Sequence, residues 1–226
     1  MNIVFLLSLI LIDMTLVIFM FNFYGKSALL LIYILHIFMS QITINLSYDI
    51  LGFNTIIGSC FYAVLFLTLD MANEHYGKDT ANSFVNVGVL SLIIMLLLLY
   101  FVRFMISSNS DNYSKAFLNL TNNQFRIIIV DIFVSYFLFQ KLNVLIFDKI
   151  KKITGGKLLW LRNNASTIIS QIFTAIMFYE LSFCGTIEQY KIWQIILTGL
   201  IIKIIVSLFE TPFLYISKKV GVKNEI

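Results

Sequence analysis

The chain has 226 residues, of which 59% are hydrophobic and only 12% are charged, and its mean hydropathy is +0.90. A soluble domain must cover its surface with far more charge, so this composition excludes that class and predicts a protein whose solvent is the lipid bilayer. The formal net charge of +4 reflects an uneven distribution of lysine and arginine between loops and does not favour a nucleic-acid partner.

Apolar stretches recur along almost the whole chain. Each is predicted to be helical, because hydrocarbon tolerates no unpaired backbone groups and the sequence lacks the short alternating strands of a barrel. The predicted class is an all-α polytopic membrane protein. The expected spans are residues 3–23, 28–47, 55–70, 83–106, 126–147, 163–184 and 192–216. The polar connection at 107–125 predicts an external loop.

Basic residues are concentrated in two segments near the C-terminal end of the sequence. The segment "FDKIKKITGGKLLWLRN" contains four lysines and Arg162, and the tail after the last span contains Lys218, Lys219 and Lys223. Two predicted helices separate these segments, which places both on one side, and the positive-inside rule makes that side the cytoplasm. The C-terminus is then expected in the cytoplasm and the N-terminus outside.

Motifs for catalysis, cofactors and metals are missing from the sequence. It contains no GxxxxGK[ST] phosphate loop, no GxGxxG and no HExxH, so we expect neither nucleotide hydrolysis nor a metal or cofactor. Cys60 and Cys184 lack metal-ligand spacing and are expected to pack among apolar residues. A membrane-embedded enzyme is disfavoured because no nucleophile and base stand together.

The third span ends in a group of polar residues, "LFLTLDMANEHYGKDTANS". At 100° per residue, Tyr62, Phe66, Asp70 and Asn73 fall on one stripe of the helix, with Glu74 at its margin. The stripe can be a helix end that meets the lipid headgroups, or the wall of a cavity. The short span favours the cavity, because a short helix can stop inside the protein.

The sixth span carries the most polar stripe and starts at Arg162. Its polar side chains lie within about 120° of one another, and they are Asn163, Ser166, Thr167, Ser170, Gln171 and Thr174. Serine and threonine also pack helices in membranes, so helix packing is the alternative to a binding role. The amide side chains of Asn163 and Gln171 favour the lining of a binding cavity over simple helix packing.

The fifth span offers a similar face. Tyr136, Gln140 and Asn143 share one side of it, whereas Asp131 is expected to project from nearly the opposite side. We therefore do not expect Asp131 to line the same pocket.

On the seventh span, Lys203, Ser207 and Glu210 align, and Lys203 lies near the middle of the membrane. A lysine at that depth needs a carboxylate, a set of carbonyls or an anionic ligand, so we expect it to have a polar partner in the bundle interior. For two other acidic residues, Asp13 and Glu180, the sequence identifies no partner.

Such a lining has a definite chemistry. A carboxylate, several amides, hydroxyls and flat aromatic rings suit a neutral or weakly charged planar heterocycle that stacks on tyrosine or phenylalanine. The edge of a guanine-like ring, with adjacent N–H donors and a carbonyl, is matched by one carboxylate and one amide.

The run "LDMANEHYGKDTAN" resembles the D-x-x-x-E-x-Y-G-K-x-x-A signature of the queuosine precursor transporters, also called the vitamin uptake transporter family. Three further segments follow in the family's order, "RIIIVDIFVSYFLFQKLNVLIFDKIK", "GGKLLWLRNNASTIISQ" and "LIIKIIVSLFETPFLYISKK". The resemblance covers about residues 28–220.

The resemblance implies a multi-pass protein of the bacterial inner membrane that imports preQ0, preQ1 or queuine for tRNA modification. It also implies one transporter domain over residues 1–226, with a compact six-helix core at 28–220 and an extra N-terminal helix at 3–23. The motif positions are Asp70, Glu74, Tyr76, Gly77, Lys78, Gln140, Arg162, Asn163, Ser166, Thr167, Gln171 and Lys203.

Two positions depart from the family pattern, because Asn143 and Thr174 stand where the family usually has aspartate. Which precursor is carried, the energy coupling, a homo-oligomer and dependence on a separate ATPase module all stay open. If the chain depends on a separate ATPase module, it would be a substrate-binding membrane subunit, and its ligand could be another small planar vitamin or purine-like solute. The expected substrate-binding residues are Tyr62, Phe66, Asp70, Asn73, Glu74, Gln140, Asn143, Arg162, Asn163, Thr167, Gln171 and Lys203.

Overall fold

The structure is a computed structural model that describes residues 2–50, 53–106, 111–122, 124–183 and 185–220. Its helices are α1 (Asn2–Thr43), α2 (Gly58–Tyr76), α3 (Lys78–Met105), α4 (Asn112–Thr121), α5 (Gln124–Val130), α6 (Lys141–Ile153), α7 (Leu159–Phe183) and α8 (Gln189–Val220). A π-helical segment, Asp131–Gln140, joins α5 to α6, and a hairpin of β1 (Ser47–Ile50) and β2 (Phe53–Ile56) follows α1. Cys184 lies outside the described residues, whereas Cys60 is buried as expected.

Helix α1 consists of two antiparallel arms that meet at Gly25. This residue has φ 54° and ψ −128°, a conformation that glycine adopts without a side-chain clash. The carboxylate of Asp13 lies 2.7 Å from Nε2 of His36, although a straight helix would separate these residues by roughly 35 Å. The chain therefore reverses at Gly25, which agrees with the two spans predicted there, and Asp13 has a partner that the sequence did not reveal.

Within the described residues, five segments are long and apolar enough to cross a membrane, and they are Val4–Thr43, Lys78–Met105, Asn112–Ile153, Leu159–Phe183 and Gln189–Val220. The first of them contains both arms of α1, and α2 packs against it inside the bundle. Large apolar side chains such as Phe104 and Leu98 are exposed, as expected for faces that contact lipid. The all-α polytopic class is confirmed, with the short hairpin as a local departure.

The predicted boundaries fail around this hairpin. The second span was expected to run to 47 and the third to begin at 55, but α1 ends at Thr43 and the strands pair from Ser47↔Ile56 to Ile50↔Phe53. A short apolar run rich in Ile, Tyr and Phe fits a strand as well as a helix, so hydropathy alone does not separate them.

Helix α2 reaches Tyr76, six residues past the predicted end at 70. Asp70, Asn73 and Glu74 therefore lie on the last two turns of a helix of 19 residues, and the argument from a short span is wrong. Gly77 then turns the chain with φ 88° directly into α3.

The predicted loop at 107–125 contains a helix in its described part. Helix α4 begins after Asp111, whose carboxylate accepts a hydrogen bond from the Ser114 N–H at 2.7 Å and so caps the helix. Arg103 at the end of α3 donates to the Leu118 carbonyl at 2.9 Å and holds α4 against the bundle.

The π-helical segment changes which residues of the fifth span face inward. Nine residues separate Asp131 from Gln140, and an α-helix would place them on opposite sides. A π-turn contains more residues and rotates less per residue, so both side chains are buried here. The prediction that Asp131 and Gln140 project from nearly opposite sides of this segment is therefore wrong.

Helices α2 and α8 lie side by side and run in the same direction. The Nζ atom of Lys203 lies over the ring of Tyr62, 5.3 Å from its centre, in the first half of each helix. Glu74 and Lys218 form a 2.9 Å ion pair near the two C-terminal ends. The polar residues between these two levels are thereby brought together in the centre of the bundle.

Candidate functional site

Four charged side chains, Glu74, Lys151, Arg162 and Lys218, form an ion cluster at one end of the bundle. Glu74 Oε2 lies 2.7 Å from Arg162 Nη2 and 3.2 Å from Lys151 Nζ, and its Oε1 lies 2.9 Å from Lys218 Nζ. The Glu74 side chain is 5% exposed and that of Arg162 is 0% exposed. The cluster ties α2, α6, α7 and α8 together.

Arg162 makes further contacts in the same place. Its Nη1 donates to the carbonyls of Gly156 at 3.1 Å and Lys157 at 2.9 Å, and its guanidinium lies over the ring of Phe147. Lys151 donates to the Glu74 carbonyl at 2.9 Å, which satisfies a backbone group at the end of α2. Through these contacts, the ion cluster holds the helices together at this end of the bundle.

One turn before Glu74, Asp70 is fully buried beside α6. Asn143 Nδ2 donates to Asp70 Oδ1 at 3.0 Å, whereas Asp70 Oδ2 and Asn143 Oδ1 are buried without a hydrogen-bond partner. Asn73 is used differently, because its Nδ2 donates to the Val144 carbonyl at 3.2 Å. The Asp70–Asn143 pair therefore keeps two acceptor oxygens for another donor.

Gln140 lies in the same buried region. Its Oε1 accepts a hydrogen bond from the Tyr33 hydroxyl, while its Nε2 is buried without a partner. Asn163 mainly links α7 to α8, since its Nδ2 donates to Thr211 Oγ1 at 3.2 Å.

A small cavity of about 10 Å³ lies between α2, α7 and α8, and we call it the main cavity. Its lining consists of Tyr62, Ala63, Phe66, Thr167, Gln171, Ile202, Lys203, Val206 and Glu210. Both amide atoms of Gln171, the hydroxyl of Thr167 and Glu210 Oε2 are buried there without partners. Two aromatic rings on one side thus face donors and acceptors on the other.

A second cavity, also of about 10 Å³, adjoins the main cavity at Tyr62 and Lys203. It is lined by Ile44, Tyr62, Ser135, Thr174, Ala175, Phe178, Tyr179 and Lys203. The Tyr62 hydroxyl donates to Asp131, 2.6 Å from Oδ1, and Gln41 also donates to this carboxylate. Lys203 therefore contacts an aromatic ring that is hydrogen-bonded to a buried acid.

Buried polar atoms without partners are costly, at about 1–3 kcal/mol each, and native proteins contain few of them. Among the described residues, Thr167, Gln171 and Glu210 carry such atoms in the lining of the main cavity, and Asp70 and Asn143 carry them outside this lining. A polar ligand that donates to Asp70 and exchanges hydrogen bonds with Gln171 would satisfy part of this set. The arrangement makes this region a candidate site for a small polar molecule.

The structure brings five of the expected residues into the lining of the main cavity, namely Tyr62, Phe66, Thr167, Gln171 and Lys203. Asp70 and Asn143 form a buried hydrogen-bonded pair, and Gln140 bonds to Tyr33. Asn73 and Asn163 donate hydrogen bonds to neighbouring helices. Glu74 and Arg162 belong to the ion cluster.

Sequence reasoning missed two acidic residues of this region, Glu210 and Asp131. Glu210 shares a helix face with Lys203, and that alignment was the available signal for it. The burial of Asp131 depends on the π-helical geometry, for which the residue pattern gives no signal. Glu180, at the far end of α7, accepts from Gln189 Nε2 at 2.7 Å and so has a local partner.

The sequence profile of a family described as "Putative vitamin uptake transporter" matches residues 56–217. A curated protein of Bacillus subtilis (strain 168), "Probable queuosine precursor transporter", is 28% identical over 179 residues, which is 78% of this chain and 77% of that protein. No solved structure matches the chain significantly.

Replacing Glu74 by glutamine tests the ion cluster. The change keeps the shape but leaves the buried Arg162 without its carboxylate, so we expect the free energy of unfolding to fall by about 3 kcal/mol. Thermal unfolding of the purified protein in detergent measures it. Glu188→Gln is the control, because its pair with Lys191 is exposed, and it should unfold like the parent. Equal unfolding temperatures for the Glu74 variant and the control would refute the structural role.

Proposed function

Since the chain belongs to the vitamin uptake transporter family, we propose that it imports a 7-deazaguanine precursor of queuosine across the membrane. The name of the Bacillus subtilis relative supports this substrate class. The multi-pass helical architecture and the enclosed polar cavity agree with transport. The alternative of a binding subunit that depends on an ATPase module is not favoured, because both the family and the relative are described as transporters.

The observation that carries the proposal is the buried Asp70–Asn143 pair next to an aromatic-lined cavity. Asp70 Oδ2 is free to accept from the ring and exocyclic N–H groups of a guanine-like edge. Gln171 can donate to a ring carbonyl and accept from an N–H, because neither of its amide atoms has a partner. Tyr62 or Phe66 stacks on the ring plane.

We assign direct substrate contact to Tyr62, Phe66, Asp70, Thr167, Gln171 and Lys203. The remaining residues act through these, with Asn143 orienting the Asp70 carboxylate and Gln140 placed beside the pair. In this proposal Glu74 and Arg162 fix the helices rather than touch the substrate, and Asn73 and Asn163 hold neighbouring backbone and side-chain groups.

The cavity dimensions imply movement during transport. The main cavity has a volume of only about 10 Å³, so a planar bicyclic ring enters only if α7 or α8 moves away from α2. The ion cluster joins these three helices at one end, which makes it the natural pivot. Opening toward the other end would then expose the main cavity.

We further propose that this protein lies in the bacterial inner membrane with the ion-cluster end in the cytoplasm. Support comes from the charge distribution, because Lys151 and Lys218 lie at this end and the positive-inside rule assigns such an end to the cytoplasm. Lys152 is exposed on α6 and Tyr113 is exposed on α4, and we expect these two positions on opposite sides of the membrane.

Single cysteines at these two positions test the orientation in a Cys-free background. In intact cells, an impermeant maleimide should label Tyr113→Cys, whereas Lys152→Cys should react only after permeabilisation. The reverse pattern would contradict the proposed orientation.

Replacing Asp70 by asparagine tests the site. The variant keeps the side-chain shape but loses a charge-assisted hydrogen bond, so precursor binding should weaken by about 1.5–3 kcal/mol. Equilibrium binding of labelled queuine or preQ1 to the purified protein measures this. Asp148→Asn is the matched control, because Asp148 pairs locally with Lys152 on α6, away from the cavity. A folded Asp70 variant that binds like the parent would remove Asp70 from the site.

A further inference from the structure

Glu210 is a second carboxylate in the main cavity. It lies on α8, is 1% exposed and has a buried Oε2 without a hydrogen-bond partner. Across the cavity, Gln171 is 2% exposed and has two unpartnered amide atoms. Two independent side chains from different helices therefore present unused polar atoms to the same space.

The charged groups around Glu210 do not neutralise it. Asp70 on α2 is close enough to repel it electrostatically. Lys203 precedes it by two helical turns, roughly 10 Å along the axis, and lies over Tyr62 instead. On α7, Arg162 is paired with Glu74. Among the described residues, Glu210 thus has no ion-pair partner, whereas Glu74 has three.

A buried carboxylate without a cation is strongly disfavoured in a membrane protein, and the repulsion from Asp70 increases this cost. A positively charged group on the ligand would remove it. With an uncharged ligand of the same shape, Glu210 takes up a proton or stays unpaired, so only a cationic ligand gains an ion pair there.

We propose that Glu210 binds the charged side chain of the substrate, so that the protein prefers 7-deazaguanines with a protonated amine over the uncharged nitrile form. This inference rests on the proposed function and names the charge class of its substrate. Asp70 receives the N–H edge of the ring and Glu210 receives the ammonium group. Of the precursors considered above, preQ1 and queuine carry such an amine, whereas preQ0 carries a nitrile.

Equilibrium binding of preQ1 and preQ0 to the purified full-length protein tests the preference. The parent should bind preQ1 at least about tenfold more tightly than preQ0, as expected for one charge-assisted hydrogen bond in a buried site. Glu210→Gln should abolish this preference by weakening preQ1 binding, with little change for preQ0. Glu180→Gln is the control, because it makes the same chemical change on α7 beside Gln189, and it should keep the preference.

Equal affinities of the parent for preQ1 and preQ0 would overturn the inference, as would a Glu210→Gln variant that keeps the preference. The parent's ratio decides the matter even if this variant does not fold, and Glu210→Asp, which keeps the charge, should then retain a preference for preQ1. If the parent binds neither compound and does not bind queuine, the proposed function fails and the inference fails with it, which differs from binding preQ1 and preQ0 equally.

Discussion

The cost of an unpaired charge inside a membrane determines the organisation of this protein. Most buried charged groups have partners from the chain itself, as Asp13 has His36, Glu74 has Arg162 and Asp131 has Tyr62 and Gln41. The exceptions are concentrated, because unpartnered oxygens of Asp70 and Glu210 and the amide of Gln171 lie at or beside one cavity. The same constraint that stabilises the bundle therefore points to the proposed substrate site.

The paired charges position this site. The ion cluster fixes α2, α6, α7 and α8 at one end, and the side-by-side helices α2 and α8 carry two further levels of polar residues beyond it. Glu74 lies at the closed end, Asp70 and Glu210 follow, and Tyr62 with Lys203 lies deepest. A polar solute in the cavity thus has carboxylates toward one end and a cation with an aromatic ring toward the other. The proposed motion about the ion cluster would admit the solute without exposing it to lipid.

The sequence predicted the helical class and much of the cavity lining. These predictions succeed because they depend on hydropathy and on side-chain spacing along a regular helix, as for Tyr62 and Phe66 on α2 or Thr167 and Gln171 on α7. The failures arise where local geometry departs from the α-helix. The π-helical segment turns Asp131 inward, and the hairpin at Ser47–Ile56 replaces two predicted helix ends. Helix α2 continues to Tyr76, and Gly77 ends it there.

The sequence also did not show which side chains pair with one another. Glu74 could be assigned to a substrate or to basic residues, and the three cations around it come from 77 to 144 residues away along the chain. Such contacts depend on helix packing, which residue patterns do not encode. The structure also shows what surrounds Asn143 and Thr174, the two positions where the resemblance implies aspartate. Asn143 supports Asp70, and Thr174 lines the second cavity.

The most direct test of the account is uptake of a labelled queuosine precursor by cells that can neither make nor otherwise import one. Expression of this chain should give accumulation of the label, and excess unlabelled preQ1, but not adenine, should suppress it. Accumulation no greater than in cells with an empty vector, with the protein present in the membrane, would contradict the claim that the buried polar cavity carries a 7-deazaguanine.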